Sequence, residues 1–260
     1  MRLFAAGQAG KYILTIRFGN REFAPRVFTT LVTILLMGLL VSLGRWQLRR
    51  SAEKQKLYDE FAAGADATLP IDVATAPVPR FQHVKLTGRY DAARQILIDN
   101  MESPDNRIGY DVLTPFALNG GGWILVDRGW VPAGPSRSLL PHIPVLNDLR
   151  TISGRADLLP RPGIRLAGAA PLAPPFPVIA DYPRLSDIAL LLHEKHWARA
   201  APVILLDANQ SDGYLRAWTV PGFPPMRYFA YAIQWFGLAA TLFVIYIVTN
   251  LRRRDAAAKD

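Results

Sequence analysis

Two apolar runs, one near each end of the chain and about 180 residues apart, constrain this sequence more than any other feature. Residues 27–44, "VFTTLVTILLMGLLVSLG", carry no charge and reach roughly the 18 to 20 residues that a helix needs to cross a hydrocarbon core. Residues 228–248 are filled by Leu, Ile, Val, Ala and aromatics, with Gln234 the one strongly polar member. Lipid offers the backbone no water to bond, so both runs are expected as helices. A cleaved secretory leader is the competing reading of the first run. Such a leader has a shorter apolar region and ends in a small-x-small site, whereas "GRWQLRRSAEKQK" follows here, so the run reads as an uncleaved span.

The net charge of +9 is confined to the chain ends. Residues 1–56 hold ten Lys/Arg against two acids, residues 57–226 fifteen against seventeen, and residues 227–260 five against two, giving +8, −2 and +3. Nucleic-acid binding needs a basic face on the folded domain, which the nearly neutral middle does not offer. The positive-inside rule is blunted by Arg45, Arg49, Arg50, Lys54 and Lys56 beyond the first run, but it weakens for long translocated segments. Both basic tails are therefore expected in the cytoplasm. The predicted order is a cytoplasmic tail (1–26), a first transmembrane helix (27–44), an extracytoplasmic β-rich domain with an opening helical segment (45–226), a second transmembrane helix (227–249) and a basic cytoplasmic tail (250–260). The middle then lies in a bacterial periplasm or a mitochondrial intermembrane space. The short N-terminal tail lacks the Ser enrichment of a transit peptide, which favours the bacterial inner membrane.

Within the middle, "GRWQLRRSAEKQKLYDEF" has good helix formers and no internal breaker, and is expected to continue the first helix. Beyond Pro70, segments 81–91, 94–100, 109–118, 122–131, 150–158, 201–209 and 215–220 read as strands. The "NGGG" at 119–122 predicts a hairpin, since Asn and Gly tolerate positive φ. Residues 184–199 predict a helix with Ser186 as N-cap, and the Pro-rich 159–177 an irregular excursion. The predicted fold is two transmembrane helices flanking an extracytoplasmic α+β domain dominated by antiparallel strands.

Catalytic chemistry is poorly marked. Cys is absent, which removes thiolate metal sites and Cys nucleophiles. His193 and His196 stand three apart on the predicted helix with Glu194 between them, yet no third ligand is marked, and such a pair is more often plain surface. Asp99, Asp111 and Asp127 fall in or beside strands, where carboxylates more often bond turn amides or Arg than act as acid or base. Without a GxSxG, Walker or GxGxxG element, an enzyme is not expected.

The second apolar run carries two stripes at helical spacing. Tyr228, Tyr231, Trp235, Leu238 and Leu242 form a large amphipathic one. Arg227, Ala230, Gln234, Gly237 and Thr241 form a small one, expected to dock the first helix near Gly38 and Ser42 with Gln234 bonding across. The aromatics serve either as an interfacial belt or, with Trp46, Gln47, Tyr228, Tyr231, Gln234 and Trp235 converging, as a pocket for a planar amphipathic ligand or a partner's helix. Spacing leaves both open.

Five stretches in order, "LGRWQLRRSAEKQ" (43–55), "GRYD...ILIDN" (88–100), "GYDVLTPF" (109–116), "VDRGWVP" (126–132) and "YAIQWFGLA" (231–239), resemble the Surfeit locus protein 1 family of cytochrome oxidase assembly factors. The resemblance covers about residues 25–250. It implies a biogenesis factor that matures subunit I of a haem-copper terminal oxidase, at the step where haem enters, with subunit I, other assembly factors and membrane lipid as partners. It nominates Asp99, Asn100, Arg128, Gly129 and Trp130 as ligand- or partner-binding positions beside the six of the membrane boundary. Some family members are thought to bind haem a through a His at the start of the second span. This chain has Tyr228 there, and Met101 where the family often has Arg. A membrane-tethered periplasmic binding or scaffolding module is the alternative.

Overall fold

The computed structural model describes residues 13, 16–64, 68–71, 77–136, 139–161, 171–194, 196–197 and 203–253. In chain order these form β1 (Ile16–Phe18), β2 (Arg21–Phe23), α1 (Val27–Ala63), β3 (Thr68–Ile71), β4 (His83–Tyr90), β5 (Ile96–Glu102) and β6 (Ile108–Leu118). There follow β7 (Trp123–Pro132), β8 (Arg150–Asp157), β9 (Val178–Ala180), α2 (Leu185–Leu192), β10 (Val203–Leu206), α3 (Pro225–Asn250) and β11 (Leu251–Arg253). The chain divides into one unit of residues 1–57 with 221–260 and a second of residues 58–220.

In the first unit α1 and α3 run antiparallel. Both are long and apolar enough to cross a membrane. At 37 residues α1 is about 55 Å long, well beyond a roughly 30 Å hydrocarbon core, so the helix continues into the charged segment as its composition predicts. Three contacts tie the pair along its length. Thr30 Oγ1 lies 2.8 Å from the Tyr246 hydroxyl. Gly44 abuts Phe236 so closely that a Cβ there would stand 2.7 Å from the ring. The Ser51 hydroxyl donates to the Pro225 carbonyl at 2.9 Å.

The less exposed positions of α1 recur as Thr30, Thr33, Met37, Leu40, Gly44 and Gln47, and those of α3 as Tyr228, Ala232, Trp235, Ala239, Leu242 and Tyr246. This alternation of three and four is the seam of an antiparallel coiled coil. It corrects the expected docking face: Arg227, Ala230, Gln234, Gly237 and Thr241 are all exposed, as are Gly38 and Ser42. Gln234 therefore does not bond across. Small residues permit close approach on any face, but Phe236 seated on Gly44, with Ala232 and Ala239 one heptad apart, selects another.

Short strands flank this hairpin on both sides. Antiparallel β2 pairs with β1 on one side and with β11 on the other, with Glu22 opposite Arg252. The Ala24 amide donates to the Asn250 carbonyl at 3.0 Å, continuing that pairing to the helix end.

The second unit is built on an eight-stranded sheet in the order β3-β4-β8-β10-β7-β6-β5-β9. An additional β4–β6 pairing, Gly88 to Tyr90 against Phe116 to Leu118, closes β4, β8, β10, β7 and β6 into a ring. Every other residue points inward along a strand, and Val84, Leu86, Phe116, Ile124, Val126, Ile152, Ile204 and Leu206 fill the interior. On the other side of β6 and β7, Ile98, Leu113 and Leu125 pack with Ile188 and Leu192 of α2.

Antiparallel pairings dominate, with β3–β4, β5–β9 and β7–β10 parallel. The "NGGG" hairpin joins β6 to β7 with positive φ at Gly121 and Gly122. The strand expected at 215–220 does not form; only Leu215 bridges, to Trp130, because the Arg216 guanidinium and the Trp218 indole N–H bind carbonyls around the end of β10. The predicted helix at 184–199 is eight residues long. Asp187 accepts from the Arg184 amide at 3.1 Å at its start, in place of a Ser186 cap, and His193 ends it in the left-handed conformation at φ 56. His193 and His196 thus share no helical face. Of the Pro-rich excursion, 162–170 lie outside the described residues, and 171–177 form no regular element.

Candidate functional site

Three of the nominated positions sit on β7, in the stretch Asp127-Arg128-Gly129-Trp130. Alternation aims Ile124 and Val126 into the ring, and Arg128 follows on the same side, capping the apolar interior with a charge. It is 2% exposed. Its Nε donates to the Asp212 carbonyl at 2.7 Å, Nη1 to Gln95 Oε1 at 3.0 Å and Nη2 to the Pro144 carbonyl at 2.8 Å. Gln95 is itself fixed, its amide donating to Ile143 O and its oxygen accepting from Thr114 Oγ1. The rings of Tyr214 and Tyr90 lie 4.9 and 5.6 Å from the guanidinium carbon.

Gly129 lets β7 meet the 214–216 segment. Its φ of 101° and the 2.6 Å that would separate a Cβ from the Leu215 carbonyl both demand glycine. Past it, Trp130 exchanges backbone hydrogen bonds with Leu215 and donates its indole N–H to the Met101 carbonyl at 3.0 Å. That bond joins β7 to the irregularity in β5, where the register shifts between Ile98 and Met101 and Asn100 takes φ 58. Asp99, 4% exposed, accepts from the Asn100 amide at 2.8 Å. The fold therefore brings Asp99, Asn100, Gly129 and Trp130 to one neighbourhood of the β5–β6–β7 meander. Met101 contributes a carbonyl, which this contact would find in any residue.

Asp127 points away from Arg128, as neighbours on a strand must. Its carboxylate accepts from the Gly129 amide at 2.9 Å. Burial first, then the charge of Asp111, push its pKa well above the ordinary carboxylate range, against the opposing pull of that amide. Burial raises Asp111 to about 6. Both acids therefore hold their protons to a higher pH than an exposed carboxyl does. Among the described residues no group of three or more His, Cys, Asp or Glu is placed to hold a metal ion.

A second polar network escaped the sequence. His83 Nδ1 lies 2.7 Å from Thr68 Oγ1, its Nε2 lies 2.6 Å from Asp207, and Ser153 donates to the same carboxylate at 2.7 Å. It links β3, β4 and β8 with the turn after β10. Gln95, Asp212 and Tyr214 were missed as well. All come from turns far along the chain from Arg128, where only the long side chain of an interior-facing Arg signals that partners must exist.

In the helical unit the six predicted positions separate. Gln47, Tyr228 and Trp235 are partly covered on the seam side, whereas Trp46, Tyr231 and Gln234 are exposed. The six do not converge as a single pocket. Gln47 Oε1 is buried with no hydrogen-bond partner among the described residues. The guanidinium of Arg227 lies over the Phe223 ring at 3.7 Å.

The profile of the SURF1 family matches residues 34–240, from within α1 to within α3. A SURF1-like protein of Rickettsia felis is 26% identical over 249 residues, covering 85% of this chain and 96% of its own length. An uncharacterized SURF1-like protein of Mycobacterium tuberculosis is 27% identical, covering 83% and 81%. Surfeit locus protein 1 of Xenopus tropicalis is 26% identical, covering 82% and 72%.

Proposed function

Because this chain belongs to the SURF1 family, we propose that it is an assembly factor for a haem-copper terminal oxidase, acting on subunit I by transient binding at the stage of haem insertion. The observation that carries this reading is the extent of the match, which takes in most of both helices and the whole ring-closed domain rather than one module. The role is physical, without a bond made or broken by this chain. The helices dock beside subunit I in the bilayer, and the β domain engages its outer face and the other assembly factors.

The same parts support a membrane placement. Two helices of sufficient length enter a bacterial inner membrane, leaving residues 58–220 in the periplasm. Pairing of β2 with β11 supports both tails on one side, and their Arg residues favour the cytoplasm. Reporter fusions at residues 20, 140 and 255 test this, with only the middle fusion expected to show periplasmic activity.

The residues at the family's haem position do not fit an axial ligand. Tyr ligates haem iron as the phenolate, and the one cation beside Tyr228 that could favour that form is turned to Phe223. Co-production with haem a synthesis should give purified protein without a Soret band; a stoichiometric band would overturn this part alone.

Gene deletion tests the function. Reduced-minus-oxidised spectra of the membranes should lose the oxidase haem signals, with a parallel fall in oxygen uptake. Normal spectra and respiration would instead support a tethered scaffold with no role in oxidase assembly.

A further inference from the structure

Among the described residues, none forms an ion pair with Arg128. Its three hydrogen bonds go to two carbonyls and an amide oxygen, and the Tyr214 hydroxyl takes a further contact, which leaves at least one of its five N–H groups unspent. The nearby Asp212 carboxylate is engaged by Arg150. Two further donors in the same neighbourhood are buried with no partner among the described residues, the Tyr90 hydroxyl and Arg150 Nε. Tyr90, 1% exposed, lies within the electrostatic reach of Arg128, Arg150, Arg216 and Asp212. Buried cations are ordinarily paired, because neutral acceptors replace only part of the lost hydration.

Arg128 also lines a cavity of about 330 Å³, with Asp212, Tyr214, Pro144, Val145 and Leu146. Its walls combine one guanidinium with an apolar lip and an aromatic face. A guanidinium held rigidly by backbone carbonyls is preorganised for an oxyanion, and little entropy is lost when the anion arrives.

We propose that this cavity binds a carboxylate carried on a short branched apolar body. The carboxylate accepts from the unspent N–H of Arg128, and the apolar body lies between Val145, Leu146 and the Tyr214 ring. A dianion such as phosphate fits worse, because the cavity has one unpaired cation and Asp212 stands in its wall. The two sources of such a group are a small free acid and the terminal carboxylate of a partner's chain. This inference stands apart from the oxidase reading, and its failure would leave that reading unchanged.

The test uses the full chain in lipid nanodiscs and ligand-observed NMR titration. Isovalerate should bind saturably, and its neutral isostere isovaleramide at least about tenfold more weakly, the equivalent of one charge-assisted contact. Arg128→Gln should abolish the distinction. Since that variant can disturb folding, Leu146→Glu provides a second probe: Leu146 is 70% exposed, and a carboxylate there repels the ligand without touching the Arg128 hydrogen bonds. It should weaken isovalerate about fivefold with the thermal midpoint unchanged. N-acetylvaline identifies the source: tighter binding than isovalerate supports a chain terminus, and weaker binding a free acid. Equal binding of isovaleramide and isovalerate, indifference to Leu146→Glu, or stronger competition by inorganic phosphate than by acetate would each overturn the proposal.

Discussion

Gly129 shows how narrowly one residue can be specified. At φ 101, with a carbonyl where its Cβ would go, Gly129→Ala is expected to cost about 1–3 kcal/mol from backbone conformation alone. The fall in urea midpoint of the intact protein checks it. Asp111 gives a pH dependence of definite sign. Its folded pKa of about 6 exceeds the ordinary value of 3.8, so the folded state holds a proton that the unfolded chain releases. Stability is then full below about pH 4 and declines as pH rises toward 6, by on the order of 3 kcal/mol. Asp127, raised in the same direction, extends the decline upward. Thermal midpoints between pH 4 and 7 should fall, and Asp111→Asn should flatten the slope. At this scale the sequence was partly legible. Strand alternation places Asp127 and Arg128 on opposite faces, as read from adjacency alone, but the partners of Arg128 could not be foreseen because Gln95 and Asp212 lie on separate turns.

Among the elements, the long ones were legible and the short ones were not. Both apolar helices, the continuation of α1 past residue 44, the β6–β7 hairpin and the strands β4 to β8 each carry a sustained pattern. By contrast β1, β2, β9 and β11 are three residues each, too short to show any period. The docking face of α3 was misread because the small stripe and the heptad seam overlap in composition and differ only in phase. That difference yields a paired prediction: Ala232→Leu, on the seam at 0% exposure, should destabilise the helix pair by about 1–3 kcal/mol through overpacking, whereas Gly237→Leu, exposed and with nothing within 4 Å, should not. Thermal unfolding in detergent distinguishes them. The β2–β11 pairing has a clean assay, since the chain has no native Cys. Glu22→Cys with Arg252→Cys should form a disulfide under mild oxidant, because directly paired antiparallel residues fall within disulfide range. Unchanged mobility on a non-reducing gel would contradict the pairing.

For the molecule as a whole, the ring-closed sheet has a consequence in the timing of synthesis. β10 is the strand that bridges β8 and β7, so the ring has a gap until residues 203–206 exist, although its other four strands are complete by residue 157. Until then β7 and β8 each expose an unpaired edge, a state open to misassociation and to proteases. The ribosome must therefore deliver nearly the whole domain before any of the ring can shut, and α3 begins only about 20 residues later. Stalled nascent chains released after residue 200 should be digested rapidly, and those reaching residue 220 should be protected. Closure and arrival of the final helix are thus nearly simultaneous events in the life of the chain.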